Sequence, residues 1–212
     1  MVQVWIDDAV KCLQSCFDCT NWTMVQHLIL CVDACELTLD PNTAHTLLSL
    51  SEGNRKVTRV GWEQSYPDHP ARFDYLYQVL CRESLTGRCY WEVEWSEDAA
   101  IAVTYKGISR KGVTDDCVFG FNVKSWSLYC YDNSYTVWHN KKRTDISAPP
   151  SSSNRVGVYL DWPAGTLSFY SVSSHTLTHL HTFHPTFTES LYPLYVGFWV
   201  YYNSSVCVCE VE

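Results

Sequence analysis

The chain has 212 residues, of which 46% are hydrophobic and 18% charged, with a 15% aromatic share dominated by 14 Tyr and 9 Trp. That apolar content suffices for a packed core and argues against a disordered chain. The formal net charge is −8 and the one dense basic run is Lys141-Lys142-Arg143, which reads as a solvated hairpin tip. A nucleic-acid groove needs a basic stripe against the phosphates, so no nucleic-acid partner is expected.

In chain order, Val2, Ile6, Ala9 or Val10, Leu13 and Phe17 recur at helical spacing with polar residues between them. This predicts an amphipathic helix, a break near Asn21 and a short apolar segment over 24–32. Asp7 and Asp8 stand where a secretory signal would need an apolar stretch. The run over 27–32 is too short to span a bilayer, and membrane association is not expected.

After Cys35 the period becomes two. A strand over 37–39 ends at Asp40-Pro41-Asn42, and strands over 46–50 and 55–60 flank the hairpin signal Ser51-Glu52-Gly53-Asn54. Two closely spaced prolines, Pro67 and Pro70, make 62–70 a surface loop. The 90–95 strand puts Trp91, Val93 and Trp95 on a core face and Glu92 and Glu94 on a solvent face. Further strands are predicted over 100–105, 118–123, 125–131, 136–139, 156–160, 166–170, 177–183, 195–200 and 205–211, with a turn at Asp161 to Gly165. Many short strands without intervening helices imply an all-β antiparallel sandwich or barrel.

Eleven cysteines are an odd number and too sparse for a small disulfide scaffold. Cys81, Cys89, Cys117, Cys130, Cys207 and Cys209 lie in strand-like stretches, where a reduced thiol serves as a small hydrophobe. A reducing, cytoplasmic setting follows. Cys16-x2-Cys19 with Cys31-x3-Cys35 has spacing that zinc accepts, but Cys12 and Cys16 fall on the apolar stripe and no Gly-bearing knuckle separates the pairs. His179 and His181 share one face of a regular 177–183 strand, with no carboxylate or Cys close in sequence. No metal is expected at either place. Neither a G-x-S-x-G elbow nor a phosphate-binding glycine loop occurs, so no enzyme activity, cofactor or small-molecule substrate is expected.

Four segments carry a family resemblance. Leu37-Thr38-Leu39-Asp40-Pro41-Asn42-Thr43-Ala44 resembles the opening of a PRY segment, and Gly87-Arg88-Cys89-Tyr90-Trp91-Glu92-Val93-Glu94 resembles a signature SPRY strand. Leu160-Asp161-Trp162-Pro163-Ala164-Gly165-Thr166-Leu167-Ser168-Phe169-Tyr170 is similar to the SPRY hairpin, and Leu191-Tyr192-Pro193-Leu194-Tyr195-Val196-Gly197-Phe198 to its C-terminal motif. In this order they resemble the PRY–SPRY (B30.2) family, in the form that ends tripartite-motif, fish NLR-type and stonustoxin-like proteins. The resemblance implies a bent antiparallel β-sandwich over 34–212 (PRY about 34–86, SPRY about 87–212) behind a helical extension over 1–33. It also implies a non-catalytic module that binds a protein through loops at one end, in an innate-immune or ubiquitin-pathway protein. The other reading it leaves is a structural or toxin-like domain in a membrane-associated assembly. No RING or B-box ligand series is present in these residues. The first variable loop maps to 61–74, with Trp62, Tyr66, Asp68, Arg72 and Phe73 as expected contact residues; further loops map to 96–99, 107–116, 131–135 and 172–176.

Overall fold

Alternating apolar side chains on short extended segments can be buried only by stacking sheets face to face, and the computed structural model does this. It describes residues 19–132, 134–147, 153–173, 176–185 and 193–211, with side chains from residue 25 onward. The helix expected over Val2 to Phe17 lies outside the described residues, and Cys16 with it.

The strands are β1 (Leu48–Ser51), β2 (Lys56–Arg59), β3 (Gln78–Leu85), β4 (Arg88–Ser96), β5 (Asp98–Tyr105), β6 (Ser125–Tyr131) and β7 (Ser134–His139). They continue with β8 (Lys142–Ile146), β9 (Arg155–Asp161), β10 (Thr166–Val172), β11 (Leu177–Phe183), β12 (Leu194–Val200) and β13 (Ser205–Val208). One sheet runs β1-β2-β13-β4-β9-β10-β11 and the other β3-β12-β5-β6-β7-β8, antiparallel throughout. Between them lie Trp91, Val93, Ile101, Leu128, Val158, Phe169 and Phe198, all sealed from solvent. Phe73, Leu80, Ala102, Ile108 and Phe119 make a smaller core on the other side of the six-stranded sheet. Leu80 and Ala102 alternate with the inward Val79, Cys81, Ile101 and Val103, so this core lies on the outer face. Gly197 makes the close approach possible, since a Cβ there would stand 2.6 Å from Phe119 Cζ.

Several expectations are corrected. Helix α1 (Cys19–Cys31) runs through Asn21 without a break, as a segment free of Gly and Pro can. Residues 118–123 are turns following a short 3-10 helix (Asp115–Cys117), because Gly120 takes φ +82° and Phe119 dives into the outer core. The tip of the basic run is Asn140-Lys141, both at positive φ, and Lys142 and Arg143 open β8, an edge strand. Leu37 to Leu39 contribute a single bridge from Leu39 to Cys81. Cys89 is not a free thiol: it is bonded to Cys35 with Cα atoms 5.6 Å apart, which also removes Cys35 as a metal ligand.

The largest departure concerns Glu92. It faces outward on β4 as expected, yet is only 2% exposed, because α1 lies over that face. His27 Nε2 meets Glu92 Oε1, Tyr90 donates its hydroxyl to the same oxygen at 2.8 Å, and Arg155 Nε stands 2.7 Å from Oε2. The Arg155 Nε–H is not aimed at the carboxylate, so that contact is an ion pair rather than a hydrogen bond. Gly157 opposes Glu92 in register and leaves the space that the Tyr90 ring fills.

Candidate functional site

The 61–74 loop was expected to offer five contact residues, and the structure sorts them by depth. Trp62 is 69% exposed, and Asp68 is exposed beside a cavity of about 370 Å³ with His69, Pro70, Asp74 and Lys111. Tyr66 is half-buried and donates its hydroxyl to Leu48 O at 2.8 Å. Arg72 is buried; it donates to the carbonyls of Pro41 (2.7 Å), Ala44 (2.6 Å) and Pro67 (2.7 Å) and stacks 4.9 Å from the Tyr66 ring. Phe73 is sealed in the outer core, edge-on to Phe119 at 5.8 Å. In this conformation Arg72 and Phe73 hold the loop together from inside, while Trp62 and Asp68 face outward.

The other expected loops fall into two groups. The β5–β6 connection folds back over the six-stranded sheet to meet 61–74: Asp74 N donates to Arg110 O, Gly112 N to Asp74 Oδ1 and Lys111 Nζ to Arg72 O. At the end of the sandwich the β4–β5 and β6–β7 turns adjoin through the Asp98–Tyr131 pair, with Asn154 beside them. Val172 is tied to Ser153, whose hydroxyl donates to its carbonyl, while 174 and 175 lie outside the described residues.

Between the two groups runs a feature that sequence reasoning missed. Trp199, Ala100 and Tyr129 stand in register across β12, β5 and β6. Tyr201 stacks on Trp199 at 5.0 Å and meets Tyr129 edge-on at 5.4 Å, and Tyr129 stacks on Tyr131 at 6.4 Å. This aromatic row occupies the outer face of the six-stranded sheet just beyond the cover of Phe73 and Phe119, and Trp199 packs against that outer cluster. It is tied to the loop by Val200 N donating to Tyr77 O, and to the β4–β5 turn by Asp98 N donating to Ser204 Oγ. Arg59 lies 3.4 Å from the centre of the Tyr77 ring and 5.6 Å from that of Tyr202, itself exposed. Burial pushes the Tyr201 and Tyr129 hydroxyls above their ordinary pKa, so both stay protonated and available as donors. The available signal was alternation itself: Trp199 and Tyr129 fall on the outward phase of their strands, where polar residues are usual. Ala100 between them is buried at 4% exposure, beneath rings that meet through Tyr201.

Among the described residues, His179 and His181 do not share a face. The β10–β11 register shifts between Phe169 and Tyr170, which oppose His181 and His179 and pass over Leu180. Because Phe169 and Tyr170 point to opposite faces, the bulge separates the two imidazoles that a regular strand would align. Among the described residues no group of three His, Cys, Asp or Glu side chains is placed to hold a metal ion.

A two-sheet antiparallel sandwich with a short helical approach and a loop-and-aromatic surface at one end defines an all-β domain of SPRY type. Residues 37–85 match the SPRY-associated domain PRY and residues 88–210 match the SPRY domain, and the chain belongs to the SPRY family, whose members are generally non-catalytic protein-binding modules. The chain is 50% identical over 163 residues to stonustoxin subunit beta of Synanceia horrida, covering 76% of this chain and 23% of that one. It is 41% identical over 170 residues to tripartite motif-containing protein 16 of Mus musculus, covering 79% of this chain and 30% of that protein. It thus spans under a third of either relative. Among solved structures, stonustoxin superposes with a TM-score of 0.77 at 45% identity, over 85% of this chain and 28% of that one. The TRIM65 PSpry domain superposes with a TM-score of 0.77 at 29% identity, over 87% of this chain and 96% of that one.

Proposed function

We propose that this domain captures a protein partner on the end surface formed by the 61–77 loop, the aromatic row and the β4–β5 and β6–β7 turns, without catalysis. The observation that carries the reading is the row from Trp199 to Tyr131, flanked by the exposed Trp62, Tyr75 and Tyr202. Rigid aromatics that present a broad apolar face and a polar tip are the usual anchors of protein interfaces. The similarity to a tripartite-motif protein supports a place at the target-binding end of an innate-immune or ubiquitin-pathway protein. We place the chain in the cytoplasm on its free cysteines, Cys31, Cys81, Cys117, Cys130, Cys207 and Cys209; the Cys35–Cys89 bond runs against this, and thiol alkylation of protein from its native source decides.

Affinity capture with the wild-type chain and with Trp62→Ala plus Tyr131→Ala tests the reading, since both side chains are more than half exposed. The double variant is expected to lose captured partners by about thirtyfold or more with its urea midpoint unchanged. An identical captured set refutes the surface. A second reading, a toxin-like domain in a membrane-associated assembly, is supported by the 50% identity to a stonustoxin subunit. Among the described residues no helix is long and apolar enough to cross a membrane. Flotation of the chain with liposomes would favour this second reading over the first.

A further inference from the structure

We propose that strand β8, the open edge of the six-stranded sheet, docks a second copy of this chain edge to edge, about a two-fold axis through Thr144. This goes beyond the capture of a different protein and does not depend on it. β8 is the last strand of its sheet, and among the described residues only β7 pairs with it. Asn140 and Lys141, both at positive φ, make the two-residue β7–β8 turn, so the flanking His139 and Lys142 exchange main-chain hydrogen bonds. Bonded and non-bonded pairs alternate from there, which makes Trp138–Arg143 and Thr136–Asp145 the non-bonded ones. Counting from the β6–β7 turn, closed by Tyr131 and Ser134, agrees: it directs the main chain of Thr136 and Trp138 toward β6. The N–H and C=O of Arg143 and of Asp145 therefore point out of the sheet at its open edge, and among the described residues no main-chain group meets them.

The charges on this edge select the occupant. Arg143 and Asp145 share the outer face of the sheet, because Tyr135 and Val137 on β7 take the inward phase. Both side chains are exposed, and they pair with each other along the strand at 2.7 Å. A second β8 can meet the open main-chain groups in antiparallel fashion in three two-fold registers. Centred on Arg143, it sets guanidinium against guanidinium; centred on Asp145, carboxylate against carboxylate. Centred on Thr144, it sets each Arg143 opposite Asp145 of the second copy. Each such pair then exchanges its main-chain hydrogen bonds and matches opposite charges, while Lys142 falls opposite Ile146. Charges on an edge strand ordinarily repel a neighbour. Here they repel two of the registers and favour the self-complementary one, as a two-fold contact between identical copies requires. The axis stands perpendicular to the sheet, so the outer faces of both copies, with their aromatic rows, look the same way. A partner carrying two epitopes would then be held by both copies.

Sedimentation equilibrium of the whole chain between about 5 and 500 µM tests the assignment. An edge contact buries less than a standard interface, so the dimer is expected to fill progressively over that range. Arg143→Asp sets Asp opposite Asp145, and Asp145→Arg sets Arg opposite Arg143. Each alone is expected to raise the dimer dissociation constant by about tenfold or more. Mixed in equal amounts, the two variants are complementary at both pairs and should associate within about threefold of wild type. Asp145→Arg also gives up the Thr136 hydroxyl, which the urea midpoint reads separately. Mixing cannot mend a folding defect, so recovery in the mixture reads the contact itself. A wild-type chain that stays monomeric throughout overturns the proposal, as does a dimer that either single variant leaves intact. Variants that dissociate alone and fail to recover together overturn the Thr144 register. None of these outcomes bears on the capture of a different protein, which affinity capture reads by itself.

Discussion

Removing the Glu92 carboxylate tests whether the outer face of the seven-stranded sheet is a built interface with α1. In Glu92→Ala the Tyr90 hydroxyl loses its acceptor, and Arg155 and His27 lose the anion between them. Breaking a fully buried pair by deleting one partner costs about 3–5 kcal/mol. Here the Glu92 side chain is 3% exposed but those of Arg155 and His27 are each 34% exposed, so water takes up part of the loss. Discounting for that screening leaves about 2–3 kcal/mol. Urea unfolding would read it as a lower midpoint at unchanged slope, and heating as a fall of about 5–10 °C for a domain of this size. Glu94, two residues along the same strand and exposed, is the control, and Glu94→Ala should stay within about 0.5 kcal/mol. His27→Ala should lose less than Glu92→Ala and lose nothing further in its background. A Glu92→Ala loss below about 1 kcal/mol, or one matched by Glu94→Ala, would refute the claim that α1 is anchored through this carboxylate.

Three further outcomes follow from the geometry. Gly157→Ala brings a Cβ to 2.5 Å from the Tyr90 hydroxyl oxygen, and the overpacking should cost about 1–3 kcal/mol in the same urea assay. Phe73→Ala should cost about 3–5 kcal/mol and Arg72→Ala about 2–3 kcal/mol, whereas Trp62→Ala is silent, which separates the loop's interior from its surface. Burial holds the His45 pKa below its ordinary value, and its Nδ1 accepts the Leu47 N–H at 3.0 Å. The folded state therefore disfavours the proton that the unfolded chain accepts near pH 6.5. Stability is intact above about pH 6.5 and falls as pH drops through the window toward the lower folded value, a loss that His45→Gln should flatten in urea midpoints taken between about pH 7.5 and 5.5.

The sandwich was legible because its inner faces obey period two. Trp91-x-Val93-x-Trp95 and the hairpin at Ser51 to Asn54 could be read without any partner in view. What escaped was whatever a second element decides. In β3 the pair Arg82 and Glu83 interrupts the apolar alternation, and Glu83 is occupied by the N–H and hydroxyl of Thr38. In β8 the polar edge sequence from Lys142 to Asp145 hides a strand, as edges commonly do. Alternation put Glu92 on the outward face correctly but carried no information that a helix would cover it. Loop composition placed Arg72 and Phe73 beside Trp62, and only tertiary contacts divide them into interior and surface.

The two outer faces explain why the working surface sits where it does. Each sheet has one face in the shared core and one that must be covered or left wet. The seven-stranded sheet receives α1, fastened by Glu92 and followed by the Cys35–Cys89 bond. The six-stranded sheet receives the β5–β6 connection, and its extent is set by one residue. Gly197 admits Phe119 to van der Waals contact with the sheet, so the cover settles on the Leu80–Gly197–Ala102 row. The next row, Trp199–Ala100–Tyr129, lies beyond its reach. Those rings are too large to leave wet without consequence, and they cover one another by stacking instead, with the Trp199 indole N–H still without an acceptor. A face that folding alone would finish with polar residues or a longer loop is left apolar at the end where the loops converge. Its completion by a partner is the simplest physical account of that arrangement.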